Sequence, residues 1–98
     1  MTKYDNLFKD FNILSDIVSS YFDIDKSELT KSNKENVVDA RYCLIYILCN
    51  KYKDFDIAKV LGISKSVVNK IRNQINSNLM NYDFYNDLKV VKSLFNEK

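Results

Sequence analysis

Cationic side chains cluster in the stretch that follows Ile57, where they offer groups that bind phosphates. Residues 57–82 contain four cations and no acid, namely Lys59, Lys65, Lys70 and Arg72. A cluster of this kind attracts nucleic-acid phosphates, and the attraction weakens as the salt concentration rises. Because patches of this size also occur on proteins that never touch DNA, a solvated basic surface is the alternative interpretation.

The formal net charge of +2 hides an uneven distribution along the chain. Residues 1–50 carry a net charge of −2, residues 51–82 carry +4, and the charges of residues 83–98 balance. The middle of the chain is therefore where we expect a polyanion to bind.

The residues around Gly62 predict two helices joined by a tight turn. Asp54 or Asp56 can cap the first helix, Gly62 can end it in a left-handed conformation, and Ser64 can cap the second. Ala58 is small where the second helix must cross the first, and Val68 and Ile71 can bury the second helix against it. This spacing is typical of a helix-turn-helix, and an ordinary αα-hairpin is the alternative.

The second of these helices has two distinct faces when residues advance by about 100°. One face is predicted to be buried and carries Val68, Ile71, Ile75 and Leu79. The opposite face is polar, with Lys65 and Arg72 at its flanks and Ser66, Asn69, Lys70 and Asn73 at its centre.

In a helix-turn-helix the second helix lies in the major groove, where asparagine pairs with adenine, serine binds several bases and lysine reaches guanine or phosphate. We predict base contacts from the polar face, with Val67 near a thymine methyl, and phosphate contacts from Lys59 and Arg72. Simple solvation of these side chains is again the alternative. The predicted base contacts are Lys65, Ser66, Asn69, Lys70 and Asn73.

The rest of the chain shows helical periodicity interrupted by polar segments. The spacing predicts one helix over about residues 5–22, a turn of helix capped by Asp25, and a polar connector at residues 31–36. Another helix follows and ends near Lys51 to Lys53, and a last amphipathic helix occupies residues 82–98 with an apolar stripe of Phe84 or Tyr85, Leu88, Val91 and Phe95.

Turn-forming residues are scarce, since the chain has one glycine and no proline. Hairpin-rich β-folds need such residues. We therefore expect an all-α fold, a compact helical bundle of about five to six helices that contains the helix-turn-helix. Residues 1–98 are expected to form a single domain.

The composition argues against catalysis and cofactors. The chain has no histidine and only two cysteines, too few soft ligands for a structural zinc site, and it lacks the commonest general base. One glycine leaves no glycine-rich loop for a nucleotide. We expect no enzyme activity, no metal and no small-molecule cofactor.

Cysteine use and the apolar runs suggest a cytoplasmic protein. Cys43 and Cys49 lie six residues apart in an apolar run, on different faces if it is helical, so we expect reduced core thiols. Residues 42–49 are far short of the ~20 residues that span a bilayer. Residues 1–11 show no signal sequence, and no membrane partner is expected.

Three stretches carry a resemblance to a known family. They are Val18–Ile24 with the following Leu29, Lys31–Arg41, and Ile57–Gly62. Together they resemble the C-terminal DNA-binding domain of the bacterial chromosomal replication initiator DnaA, a helical domain of the Trp-repressor-like group. The middle stretch is the most specific, because the family typically shows Lys-Ser-Arg-Lys-Arg-Glu-Ile-Val-Glu-Ala-Arg there.

The resemblance implies that two segments of the chain make different contacts with DNA. The connector before the long helix would be a basic loop that contacts phosphates and the minor groove, with Lys31, Lys34 and Arg41 as its cations. The helix after Gly62 would read the major groove. Ser64 to Val67 occupy the places of the family's Asp-His-Thr-Thr signature, and Ser64 is assigned a phosphate contact.

Two hypotheses for function follow. The first is a non-catalytic protein that binds double-stranded DNA, as a small regulator or replication accessory. The second is an interaction module that keeps the fold and docks on itself as a homodimer, or on a replication protein, through the last helix. Asn33 and Glu35 stand where the family has arginines. Glu35 and the changed signature favour the second hypothesis, whereas the +4 segment and the turn favour the first.

Overall fold

Five α-helices and one 3-10 turn build the part of the chain that the computed structural model describes, residues 3–97. The helices are α1 (Lys3–Tyr21), α2 (Glu35–Cys49), α3 (Asp54–Leu61), α4 (Lys65–Asn76) and α5 (Tyr82–Asn96), and the 3-10 turn is Lys26–Glu28. No strand occurs in these residues, which confirms the predicted all-α class. None of the described helices is long and apolar enough to cross a membrane.

Helix α2 lies at the centre of the fold and contacts α1, α3, α4 and α5. It is apolar around most of its circumference, as expected of a helix enclosed by others. Its fully covered side chains join buried residues of all the other helices in one hydrophobic core. The buried residues of α2 are Val37, Ala40, Cys43, Leu44, Ile45, Ile47 and Leu48.

The predicted turn between α3 and α4 is confirmed in its local geometry. Gly62 ends α3 with a left-handed φ of 72°, and Ser64 is the N-cap of α4, where its side chain accepts a hydrogen bond from the Val67 backbone N–H. Ala58, Val68 and Ile71 are buried, as the spacing predicted. Residues 62–64 alone connect the two helices.

The predicted cap of α3 is wrong. The N-cap residue is Lys53, which makes no side-chain capping bond, while Asp54 and Asp56 lie inside the first turn and are only 8% and 3% exposed. Both acids instead accept hydrogen bonds from other helices, for example Asp56 Oδ1 from the Tyr4 hydroxyl at 3.0 Å. Their position at a helix N-terminus is still favourable, because the helix dipole stabilises negative charge there.

The predicted burial of Leu79 on α4 is also wrong. The helix ends at Asn76, and Leu79 is 69% exposed. Asn78 adopts a left-handed φ of 62°, a conformation that asparagine tolerates, and the Leu79 N–H then bonds back to the Gln74 carbonyl at 3.2 Å. The turn at Asn78 therefore releases Leu79 from the buried face.

The other elements follow the predicted periodicity within a few residues. Asp25 accepts from the Ser27 N–H and caps the 3-10 turn, and α2 ends at Cys49, slightly before the predicted lysines. Phe84, Leu88 and Val91 of α5 are buried. Cys43 and Cys49 are both free thiols, as predicted.

A polar cluster joins α1 to the connection between α2 and α3. Asp10 accepts hydrogen bonds from Lys51 Nζ at 2.7 Å and from the Tyr52 hydroxyl at 2.6 Å. Burial by itself would raise the pKa of Asp10, but the hydrogen bonds and the positive charge of Lys51 outweigh it, so the pKa lies below its ordinary value of 3.8. Burial and the bond to Asp10 raise the pKa of Tyr52 to about 12.

Replacing Gly62 by alanine is expected to lower the free energy of unfolding by about 1–2 kcal/mol, the cost of a left-handed backbone for a residue with a Cβ. Apart from Gly62 and its chain neighbours, nothing lies within 4 Å of the place a Cβ would take, so backbone strain is the expected effect. Urea denaturation measures the change. The control is Asn78→Gly, which relieves the same kind of strain and should keep or raise stability; equal losses in both variants would contradict this account.

Replacing Asp10 by asparagine is expected to lower the free energy of unfolding by about 1 kcal/mol at neutral pH. Since the folded pKa is below the ordinary one, the contribution of Asp10 is complete above pH 3.8 and is lost as the pH falls through the folded pKa. Urea denaturation from neutral to acidic pH should show the two proteins converging in acid.

The control for this titration is Asp16→Asn. Asp16 pairs with Lys26 on the exposed surface at 2.7 Å, and such pairs contribute about 0–1 kcal/mol. A constant difference between the wild type and Asp10→Asn at every pH would refute the role assigned to the Asp10 charge.

Candidate nucleic-acid interface

A ridge of polar side chains runs along the outer face of α4. Ser66, Lys70 and Asn73 recur at intervals of four and three residues, and all three are exposed. The opposite face carries the buried Val68, Ile71 and Ile75. The ridge, defined by Ser66, Lys70 and Asn73, is therefore held outward by the packing on the other side of the helix.

The N-terminus of α4 is organised by two serine hydroxyls. Ser64 Oγ accepts a hydrogen bond from the Val67 N–H at 3.3 Å and lies 3.1 Å from Ser66 Oγ. Ser64, Lys65 and Ser66 are exposed, and Val67 is 42% exposed on the flank of the ridge. The first turn of α4 thus presents hydroxyls, an ammonium group and one apolar side chain to solvent.

The exposed charges of α3 and α4 all have the same sign. Asp54 and Asp56 are the only acids of residues 54–82, and both are buried. The exposed charged side chains of this segment are the cations Lys59, Lys65 and Lys70. The exposed charge of this surface is therefore positive, because both acids of the segment are buried and Asp54 is paired with Arg72.

Asp54 is the point at which α2, α3 and α4 are joined by polar contacts. Its Oδ1 accepts from Arg72 Nη1 at 2.5 Å, and its Oδ2 accepts from Asn69 Nδ2 at 3.3 Å. Cys49 Sγ lies 3.9 Å from Oδ1. Burial and the Asp54 carboxylate raise the pKa of Cys49 to about 11, so the group that faces Asp54 is a neutral thiol.

Two of the predicted DNA contacts, Asn69 and Arg72, make hydrogen bonds inside the protein instead of projecting freely into solvent. Asn69 was predicted on the solvent-facing side, but it is half-buried and bonded to Asp54, because the first turn of α3 reaches that flank of α4. Arg72 was predicted to bind phosphate, and its side chain is half-buried with Nη1 on Asp54. Asn73, by contrast, is exposed and donates from Nδ2 to Asn69 Oδ1 at 3.0 Å.

The connector between the 3-10 turn and α2 carries a second set of predicted contacts. Lys31 and Lys34 are exposed, whereas Arg41 is half-buried. Arg41 Nη1 donates to the carbonyls of Leu29 and Ser32, at 3.2 and 3.1 Å. Arg41 therefore holds the backbone from which the two lysines project.

Lys59 is the remaining predicted phosphate contact. It is exposed on α3, and its Nζ lies 5.5 Å from the centroid of the Tyr4 ring on α1. A cation over an aromatic face is weakly attracted to it. This contact directs the lysine toward the α1 side of α3 without burying its charge.

Sequence reasoning missed Asp54 as an organising residue. The available signal was that Asp54 and Asp56 stand directly before a segment without acids. No group of three or more His, Cys, Asp or Glu side chains within residues 3–97 has the arrangement to hold a metal ion. The polar groups that α4 presents to solvent are hydroxyl, amide and ammonium groups.

Comparison of the chain with protein-family models, with curated proteins and with solved structures finds no match in any of the three.

Replacing Arg72 by methionine is expected to lower the free energy of unfolding by about 3 kcal/mol, because it leaves a buried carboxylate without its cation. Asp54→Asn should cost less, since the Arg72 side chain is 33% exposed and can be solvated. Urea denaturation of both variants and of the double variant gives the coupling energy.

The matched control is Lys70→Met, which removes a cation from the exposed ridge of the same helix and should change stability by less than about 0.5 kcal/mol. An effect of Arg72→Met as small as that of the control, or strictly additive single effects, would show that the pair is not coupled.

Proposed function

We propose that this protein is a non-catalytic, double-stranded DNA-binding protein that places α4 in the major groove, in the role of a small regulator or replication accessory. The observation that carries the proposal is the surface of α3 and α4, where the exposed charged side chains are all cations. Such a surface attracts a polyanion, and a helix is the element that the major groove admits.

The ridge of α4 and the first turn of the helix supply the proposed base contacts. They are Lys65, Ser66, Lys70 and Asn73, and all are exposed. The 12 residues of α4 extend for about 18 Å, enough to lay the first turns along base edges while the C-terminal end stays with the protein. Val67, exposed beside the ridge, suits a thymine methyl.

Exposed groups on three segments supply the proposed phosphate contacts, and these are Lys31, Lys34, Lys59 and Ser64. Arg41 and Arg72 already donate to partners within the protein, so their part is to position the connector and α4, with their remaining N–H groups available to phosphate. The resemblance of residues 18–75 to the DnaA C-terminal domain supports the same division between connector and helix.

A second candidate function is docking to another protein through the α5 side. Three large apolar side chains are exposed on α5, among them Tyr82, which is 78% exposed, and Leu79 is exposed in the connection just before this helix. Exposed apolar side chains in one region are typical of interaction surfaces when they are contiguous. The four are Leu79, Tyr82, Val90 and Leu94.

Fluorescence anisotropy on random duplex DNA, titrated with salt, tests DNA binding. The three lysines among the proposed phosphate contacts predict a slope of log K against log salt of about −3, from about 0.9 per cationic contact, since the neutral Ser64 releases no counterion. Lys70→Glu should weaken binding by about tenfold or more, since it reverses a charge in the middle of the proposed interface.

The matched control is Lys89→Glu, which makes the same charge change at an exposed position of α5 and should change affinity by only about twofold. Absence of binding at about 50 mM salt, where electrostatic binding is strong, would exclude the DNA-binding function. Equal losses in Lys70→Glu and Lys89→Glu would exclude α4 as the binding helix and favour attraction by net charge alone.

A further inference from the structure

We propose that a hydrogen-bond relay from Asp54 through Asn69 fixes the orientation of the Asn73 amide, and that Asn73 thereby selects adenine over guanine. The inference rests on the proposed DNA-binding function and adds to it the base that one side chain recognises. Asn73 would touch the base, and Asn69 would be a positioning residue that acts through it.

The first step of the relay follows from the chemistry of Asp54. A carboxylate paired with a guanidinium is ionised and can only accept hydrogen bonds. Arg72 Nη1 occupies its Oδ1, and Asn69 Nδ2 lies 3.3 Å from its Oδ2. Because an amide oxygen in that place would face another acceptor, Asn69 must turn its NH2 group toward Asp54 and its Oδ1 away from it.

In the second step, the orientation of the Asn69 amide fixes that of the exposed Asn73 amide. With its NH2 group on Asp54, Asn69 offers only Oδ1 to its neighbour one turn along, and Asn73 Nδ2 donates to that oxygen at 3.0 Å. The reversed Asn73 amide would set two oxygens against each other. Asn73 is thus left with Oδ1 and one N–H for an outside partner, and its side chain is exposed.

The remaining groups of Asn73 complement one purine and not the other. Adenine presents a donor at N6 and an acceptor at N7 in the major groove, which match an amide oxygen and one amide N–H. Guanine presents acceptors at both O6 and N7, so it would need two donors, and one N–H of Asn73 is already used. An asparagine free to rotate lacks this restriction.

The relay also explains the burial of Asn69. A half-buried amide needs partners for both of its ends, since an unsatisfied polar group costs free energy when it leaves water. Asn69 finds them in a buried acid on α3 and an exposed amide on its own helix. The exposed amide of Asn73 is therefore connected to the buried carboxylate of Asp54 through the single side chain of Asn69.

Selection of binding sites from random duplexes, followed by sequencing, tests the proposal. The wild type should show a position where adenine exceeds guanine by about tenfold, the lower part of the range expected for a bidentate contact. Asn73→Ala should abolish that preference and so identify the position. Asn69→Leu should reduce the adenine-to-guanine ratio there from about tenfold to about twofold, because a freed Asn73 amide can offer both of its N–H groups to guanine.

Two further variants keep the test independent of folding. Asn69→Ser removes the amide without adding apolar bulk. It should weaken the adenine preference at the same base position, and it replaces Asn69→Leu if that variant folds poorly. Asn86→Leu removes an exposed asparagine on α5 and should leave every preference unchanged. In the free protein, NMR of the Asn73 side-chain NH2 group should show a shift and faster exchange with solvent when Asn69 is replaced.

The outcomes separate the two proposals. If the wild type does not bind random duplex at all, the DNA-binding function is excluded and the base preference falls with it. If the wild type binds but both Asn69 variants retain the adenine preference, or the Asn73 NH2 signals are unchanged by them, the relay is overturned and the DNA-binding function stands. Weakening of the adenine preference in the Asn69 variants, only at the base position that Asn73 contacts, supports the relay.

Discussion

The buried carboxylate of Asp54 is the constraint on which the arrangement of the outer helices depends. A charge that leaves water is tolerated only when it is paired and hydrogen-bonded, so Asp54 requires Arg72 and gains Asn69 beside it. Both partners lie on α4, at a spacing of three residues. They fix the rotation of α4 about its own axis, and that rotation decides which side chains form the exposed ridge.

Tyrosine hydroxyls make further hydrogen bonds between helices around the rest of the bundle. Tyr21 of α1 donates to Asp87 of α5 at 2.8 Å, Tyr46 of α2 donates to Asn76 of α4 at 2.5 Å, and Tyr85 of α5 donates to the carbonyl of Ile75 at 2.8 Å. Tyrosine suits such places because its ring packs against apolar neighbours while its hydroxyl reaches a polar partner. The apolar core draws the helices together, and these directional contacts between helices set their register.

The features that the sequence predicted well are those in which every participant lies close along the chain. Gly62 and Ser64 act through their own backbone or a residue three positions away, so their roles follow from residue type and spacing. The partnership of Asp54 with Arg72 spans 18 residues and depends on how α3 crosses α4. A prediction that considers only neighbouring residues assigns Asp54 to a helix cap and Arg72 to the exposed surface. Neither assignment reveals the ion pair between them.

A count of charges in the sequence does not distinguish the cations that are exposed from those that are paired inside the fold. Arg72 is paired with Asp54, so the exposed positive charge of α3 and α4 comes from lysines. A lysine ammonium is a flexible point charge that binds phosphate without requiring a fixed geometry. The rigid groups on the same surface are amides and hydroxyls held by capping and by hydrogen bonds within α4. For the proposed function, lysines would therefore govern affinity and its salt dependence, while sequence preference would depend on the few side chains whose orientation the buried carboxylate controls.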